Sequence, residues 1–304
     1  MKFSITVPAT SANLGPGFDS LGLALSLYNR FEVSYPGSGR ISGCEARFAC
    51  DDNLFISAMR WASGRLGFSP PPIDLDIEAA VPVARGLGSS ATMIAGGAAA
   101  ALVLAGKIRG DFSAADRAFV LEAAAAMEGH PDNAAPAVWG GFCASILGPG
   151  AGQVTTHSCP VDPLWRFHAL VPPFELSTAV ARAALPDSIP RSDAVYNLGR
   201  AALVALAFER MDLSLLASAC SDRLHQPYRA RLIPGWDRIV DACFSAGAAA
   251  VWLSGAGPTV MAVTDEKASS SFAISMEPIL ESMERGPWKI FSLSADPGGL
   301  RLFS

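Results

Sequence analysis

The stretch Gly86-Leu87-Gly88-Ser89-Ser90 carries the most legible chemistry in this chain. It follows a strand-like alternating run and the proline-punctuated Val81-Pro82-Val83-Ala84-Arg85, and it opens a run of small apolar residues over 91–104 that reads as a buried helix. A helix N-terminus offers unpaired N–H groups and a partial positive charge, so it attracts anions. Glycines let the backbone approach phosphate oxygens with no Cβ in the way, and the two serine hydroxyls can bind phosphate oxygens or a metal. The stretch is neither a Walker A loop, since no lysine lies in it, nor Gly-x-Gly-x-x-Gly. A helix cap after a flexible turn is the plainer alternative.

The elements that must hold this loop are readable from periodicity. Residues 3–8 alternate and then meet Pro8, which predicts a strand ending in a loop. Further strands are expected at 31–35, 73–81, 142–147, 167–171, 249–253 and 259–263, and helices at 54–66, 194–210, 213–220 and 236–246. Ser113 followed by Asp116 is a capping-box pattern for a helix over 114–128, with Gly129 as its stop. Strands and helices alternate without a strict βαβ rhythm, which favours a mixed α+β architecture over a parallel doubly wound sheet.

Composition narrows the classes. The chain has 304 residues, 50% hydrophobic and 17% charged, with a net charge of -5. That length supports a large core and two domains. Mild acidity and the lack of Lys/Arg runs give no support for nucleic acid or membrane as a partner. The six cysteines form no Cys-x-x-Cys pair, which reads as reduced thiols in a cytoplasmic protein. Trp139, Trp165, Trp236 and Trp252 read as core or subunit-interface packing, and His157, His168 and His225 as structural or exposed.

Four ordered segments together resemble the GHMP kinase family, and within it the homoserine kinase branch. They are Val7-Pro8-Ala9-Thr10-Ser11-Ala12-Asn13-Leu14-Gly15-Pro16-Gly17-Phe18-Asp19; the phosphate loop Pro82-Val83-Ala84-Arg85-Gly86-Leu87-Gly88-Ser89-Ser90-Ala91-Thr92; Glu128-Gly129-His130-Pro131-Asp132-Asn133-Ala134-Ala135-Pro136; and Ser254-Gly255-Ala256-Gly257-Pro258-Thr259. The resemblance implies two α+β halves around a cleft: a ribosomal-protein-S5-like N-terminal half over 1–155 and a ferredoxin-like half over 156–304. It implies transfer of the γ-phosphoryl group of ATP, with Mg²⁺, to the hydroxyl of L-homoserine, on the route to threonine. Another small alcohol, such as mevalonate or a sugar, and a non-catalytic ligand sensor are the alternative readings. A homodimer is left open.

The residue roles follow from the same resemblance. Residues 82–92 would cradle the triphosphate, with Ser90 and a carboxylate on the metal and Asn53 near the base, though a plain helix cap explains Asn53 equally well. Glu128 is favoured as that carboxylate over Glu122, which lies six residues earlier and about 120° away around the same helix. Arg182 and Arg229 suit the substrate carboxylate. Asp19 suits its ammonium, and Asn13, His130, Asn133 and Gly255 would order the remaining polar atoms. Asp132, Asn13 and Arg182 would surround the reacting groups. The chain's lysines, Lys2, Lys107, Lys267 and Lys289, all lie outside the four segments. Asp132 is therefore assigned a positioning role, with general-base action as the minor alternative and direct proton passage to the γ-phosphate as the route that needs only orientation and a metal. The 254–259 turn would close the substrate side of the cleft; a tight hairpin turn is the alternative.

Overall fold

The computed structural model describes residues 1–108, 110–150 and 152–303. Two β-sheets form its frame. The first runs β11-β1-β2-β4-β3, with β5 joined to β2 and β6 to β5. Its strands are β1 (Lys2–Ala12), β2 (Leu21–Ser34), β3 (Ile41–Ser42), β4 (Asp74–Ala79), β5 (Phe142–Leu147), β6 (Val154–Cys159) and β11 (Arg301–Phe303). The second, antiparallel throughout, has the order β10-β7-β9-β8, from β7 (Trp165–Val171), β8 (Ala250–Leu253), β9 (Val260–Asp265) and β10 (Lys289–Leu293). Sheets with helices between and beside them make this an α+β fold.

The helices cover the sheets in layers. α1 (Leu54–Arg65), α2 (Ser89–Leu104), α3 (Ala114–Glu128) and α4 (Ala134–Trp139) bury one face of the first sheet around Ile5, Val7, Phe31, Phe55 and Ile94. A second core around Leu23, Phe142, Phe167, Phe208 and Trp252 lies between the sheets, joined by α6 (Arg191–Arg210) and α7 (Leu213–Ala219). α9 (Trp236–Ser245) and α10 (Glu266–Glu281) close the outer face of the second sheet. The short helices α5 (Thr178–Ala183) and α8 (Gln226–Arg229) lie beside the cleft.

Several local expectations meet the structure directly. The Ser113 side chain accepts from the Asp116 N–H, the Asp116 carboxylate accepts from the Ser113 N–H, and Gly129 ends α3 in the left-handed region. Pro8 departs from expectation. The strand continues through it to Ala12, because the ladder to β2 shifts register between Pro8 and Ala9, and such a bulge accommodates the missing N–H. The expected division between residues 155 and 156 falls inside β6, whose partner is β5. The sheets themselves separate after Cys159, and the C-terminal β11 returns to pair with β1. The elements beyond residue 265 were not anticipated from sequence. Among the described residues no helix is long and apolar enough to cross a membrane, and the six cysteines are unpaired.

Candidate active site

The cleft is built where four turns meet. β1 ends at Ala12, and the chain turns through Asn13, Leu14 and Gly15, three consecutive residues at positive φ (72°, 44° and 76°). The Asn13 side chain fixes this turn: its amide donates to the Gly255 carbonyl at 2.8 Å, and its oxygen accepts from the Asp19 N–H at 3.0 Å. The 254–259 turn is indeed the β8–β9 hairpin connection, and it is also a cleft wall. Ser254 Oγ donates to the Gly86 carbonyl, the Thr259 N–H to the Arg85 carbonyl and the Gly255 N–H to the Ala12 carbonyl.

The phosphate loop is locked by these neighbours. Gly86 (φ 77°) and Gly88 (φ 69°) adopt the left-handed conformation, and Gly88 caps α2. A Cβ on Gly86 would lie 2.3 Å from the Ser254 carbonyl oxygen, and one on Gly88 would lie 1.9 Å from Thr10 Oγ1. Close packing of protein against protein therefore demands these glycines. Leu87, Ala91 and Thr92 are buried. Thr92 Oγ1 accepts from Asn29 and donates to the Ser89 carbonyl, so it has no free proton to offer a ligand. Arg85 borders the cleft, yet its guanidinium is held by the carbonyls of Pro172, Val83 and Pro173.

Two cavities share the Ser89–Ser90 wall. One, of about 350 Å³, is bordered by Gly86, Gly88, Glu128, His130, Asn133 and Gly255. The other, of about 590 Å³, is more apolar, with Phe48, Ile77, Val83 and Met93 in its lining. Leu54, Ala84, Ser89, Ser90, Leu176 and Thr178 border both. The geometry is that of a single cleft, apolar at one end and ionic at the other, with a helix N-terminus between.

Matches to known proteins agree with this arrangement. Residues 53–141 match the model of the GHMP kinases N terminal domain and residues 201–276 that of the GHMP kinases C terminal domain. A homoserine kinase of Clostridium botulinum (strain Kyoto / Type A2) is 40% identical over 296 residues, 97% of this chain and 96% of that protein. The chain belongs to the GHMP kinase family. The crystal structure of homoserine kinase from Cytophaga hutchinsonii superposes with a TM-score of 0.83 at 25% identity, covering 99% of this chain and 97% of that one. Mevalonate kinase of Methanococcus jannaschii shares the fold, with a TM-score of 0.70 at 13% identity over 97% and 98% of the two chains.

As a kinase of this family, the protein takes ATP as co-substrate. Glu128 ends α3 beside Ser90. Burial pushes its carboxyl up to about 7, against the pull of His130 and the Ser90 hydroxyl and with the push of Asp132. Its Oε2 is buried with no hydrogen-bond partner. An unpartnered carboxylate oxygen next to a serine hydroxyl is a donor set that fits a hard divalent cation. Glu122 instead pairs with Arg65 at 3.1 Å and borders a different cavity.

The remaining polar residues form a charge-balanced cluster. Ligand atoms of Asp19, His130 and Asp132 lie within 4.8 Å of one another. Arg182 grips Asp19 with both terminal nitrogens, at 3.1 and 2.8 Å. Asp132 is buried, takes the His130 ring at 2.6 Å and accepts from the Asn133 N–H. Burial works to lower the His130 pKa, but its hydrogen bond to Asp132 and the charges of Asp132, Glu128 and Asp19 carry it upward. Asn133 Oδ1 accepts from Thr10. Arg229 is buried, donates to the Ala181 and Gly255 carbonyls and lies over the Phe18 ring at 5.1 Å.

For two residues the structure narrows the alternatives: Asn53 caps a helix, and His225 is buried rather than exposed. Asn53 borders the apolar cavity, but both ends of its amide are used: the oxygen caps α1 at the Phe55 N–H and the nitrogen donates to the Phe48 carbonyl. His225, read only as structural or exposed, is fully buried at the ionic end. It bonds the Gly15 carbonyl at 2.8 Å, stacks on Phe18 and faces Arg229 at 3.4 Å. Its position four residues before Arg229, as the N-cap of α8, was the available signal. Thr178, bordering both cavities, was also missed. The four lysines are exposed and border neither cavity.

Proposed function

We propose that this chain is a homoserine kinase, transferring the γ-phosphoryl group of ATP to the L-homoserine hydroxyl to give ADP and O-phospho-L-homoserine. The observation that carries the reading is the ionic end of the cleft, where a paired carboxylate and guanidinium, Asp19 and Arg182, sit one His130 away from the phosphate loop. A zwitterionic alcohol offers each its counter-charge: the carboxylate to Arg182, backed by Arg229, and the ammonium to Asp19. The name borne by the 40% identical relatives points the same way.

In this reading the adenosine lies in the apolar cavity, and the N–H groups at the start of α2, with Ser89 and Ser90, receive the phosphates. Glu128 and Ser90 would hold Mg²⁺, which when bound neutralises phosphate charge and fixes its oxygens. Asn13 ties the 13–19 turn to the 254–259 turn through the Gly255 carbonyl, and Asn133 accepts from the Thr10 hydroxyl on β1. Asp132 fixes the His130 ring beside the substrate hydroxyl. Transfer then rests on positioning and charge neutralisation, and the hydroxyl proton passes to the γ-phosphate without a lysine. We place the division between halves after Cys159, and the protein in the cytoplasm, which six free thiols suit.

A coupled ADP-release assay over homoserine, threonine, mevalonate and galactose tests this. Homoserine should lead the others in kcat/KM by orders of magnitude. Equal or greater activity on mevalonate or galactose would point to another small alcohol, and ATP binding with no turnover of any alcohol would point to a sensor.

A further inference from the structure

His225 is a buried titratable side chain that no step of the proposed transfer uses, and both of its ring nitrogens are engaged. It is the N-cap residue of α8, and Asp222 holds it there. The buried Asp222 carboxylate accepts from the N–H groups of Leu224, His225 and Gln226 at 3.0, 2.9 and 2.6 Å. It also accepts from the Asn197 side chain on α6 at 2.6 Å. A buried polar network with its members paired in this way rigidifies what it joins.

What it joins is the turn that carries Asp19. Three consecutive carbonyls of that turn are each taken by a side chain from the C-terminal half. The Cys220 thiol donates to Leu14 at 3.4 Å, His225 Nε2 bonds Gly15 at 2.8 Å and the Asn197 amide donates to Pro16 at 3.2 Å. A carbonyl only accepts, so Nε2 carries the imidazole proton. On the other side of the ring, Arg229 Nη1 lies 3.4 Å from Nδ1. A guanidinium only donates, so Nδ1 is bare and the ring is neutral. Burial foremost, together with the Arg229 charge, lowers the His225 pKa against the pull of Asp222, the Gly15 carbonyl and Asp19.

Arg229 needs such a partner. Its guanidinium and that of Arg182 both lie over the Phe18 ring, at 5.1 and 5.8 Å, and like charges repel. The Ala181 carbonyl holds Nε and the Gly255 carbonyl holds Nη1. The bare Nδ1 of His225 adds a third acceptor without adding a third positive charge. We propose that His225, as the neutral Nε2–H tautomer, is a positioning residue that aims Arg229 at the substrate carboxylate without touching the substrate itself. The inference rests on the homoserine reading above, in which Arg229 backs Arg182.

The readout is the preference for L-homoserine over 3-amino-1-propanol, which lacks the carboxylate, as a ratio of kcat/KM values. A residue that served the fold alone would move both substrates together. His225→Gln places an amide nitrogen near Nε2 and nothing near Nδ1. It should lower the preference about tenfold, through the KM for homoserine, as expected for one hydrogen bond to a charged group, with the KM for ATP unchanged. His225→Asn places its amide near Nδ1 and should keep most of the preference. His225→Leu, expected to act as His225→Gln does, is the second variant should the first fail to fold. Arg229→Gln should lower the same preference, and His225→Gln added to it should lower it no further, because the two act as a unit. Where Arg229→Gln lowers the preference, the proposal is overturned by three results: a preference unmoved by His225→Gln and His225→Leu, equal losses in the Gln and Asn variants, or strict additivity with Arg229→Gln. Each of these leaves the homoserine reading standing. A preference indifferent to Arg229→Gln takes the carboxylate away from Arg229 and overturns that assignment together with the proposal.

Discussion

Gly88→Ala isolates what the phosphate loop is made of. Gly88 has φ 69°, and a side chain in the left-handed region costs roughly 1–2 kcal/mol. Its new methyl would also lie 1.9 Å from Thr10 Oγ1 and 3.2 Å from Asn133 Oδ1. Thr10 has little freedom to yield, because its hydroxyl donates to Asn133 at 2.8 Å and its N–H donates to the Leu87 carbonyl at 3.1 Å. Overpacking of this kind adds roughly 1–3 kcal/mol, for a total of about 2–5 kcal/mol. At about 2–4 °C per kcal/mol, the melting temperature should fall by roughly 4–20 °C. Thr10→Ala removes the obstructing oxygen at a cost of about 1 kcal/mol for its hydrogen bond. The double variant should therefore be more stable than the sum of the singles by about 1–3 kcal/mol. Gly255→Ala is the control: its φ is 55°, but no atom lies nearer than 3.5 Å to the added Cβ, so only the conformational penalty of roughly 1–2 kcal/mol applies. Thermal unfolding with the KM for ATP measured in parallel gives the answer. A Gly88→Ala variant as mild as Gly255→Ala, or strict additivity with Thr10→Ala, would refute the reasoning.

Stability should also depend on pH through two buried groups of opposite sign. The Glu128 carboxyl, raised by burial from 4.5 to about 7, holds in the folded state a proton that the unfolded chain releases, so its contribution is full below the unfolded value and is lost as pH rises through 7. His168, lowered by burial from 6.5 to about 4, behaves oppositely: its contribution is full above 6.5 and is lost as pH falls through 4. Between pH 5 and 6.5 the two partly cancel, so in urea titrations Glu128→Gln should make stability rise more steeply with pH and His168→Asn should make it rise less; parallel curves for all three proteins would contradict this. Asp132→Asn should leave turnover within about tenfold of the parent with an unchanged pH profile of kcat, whereas loss of the acidic limb, the fall in rate at low pH, would assign Asp132 the general-base role.

What the sequence revealed was what local chemistry and short-range order dictate. The capping box at Ser113 and Asp116 and the Gly129 stop are local, and they read correctly. The choice of Glu128 over Glu122 rested on the matched segment at the helix end; in the structure the first carboxylate has a buried oxygen without a partner and the second is paired with Arg65. Long-range effects were hidden. The glycines at 86 and 88 suggested room for phosphate, but their missing Cβ atoms make room for Ser254 and Thr10, which lie far away in the chain. Pro8 looked like a strand end because the bulge that spares it depends on β2. His225 looked unremarkable until Gly15, Phe18 and Arg229 were brought around it.

The central claim is that the Asp19–Arg182 pair selects a substrate carrying both an ammonium and a carboxylate. The direct measurement is kcat/KM for L-homoserine beside 4-hydroxybutyrate, which lacks the ammonium, and 3-amino-1-propanol, which lacks the carboxylate. Each analogue leaves one charged partner without a hydrogen bond, a loss of roughly 1.5–3 kcal/mol or more per group. At least about a tenfold preference for homoserine over each is expected, abolished in the Arg182→Gln variant for the carboxylate-free analogue. Turnover of either analogue as efficiently as homoserine by the unmodified protein would contradict it.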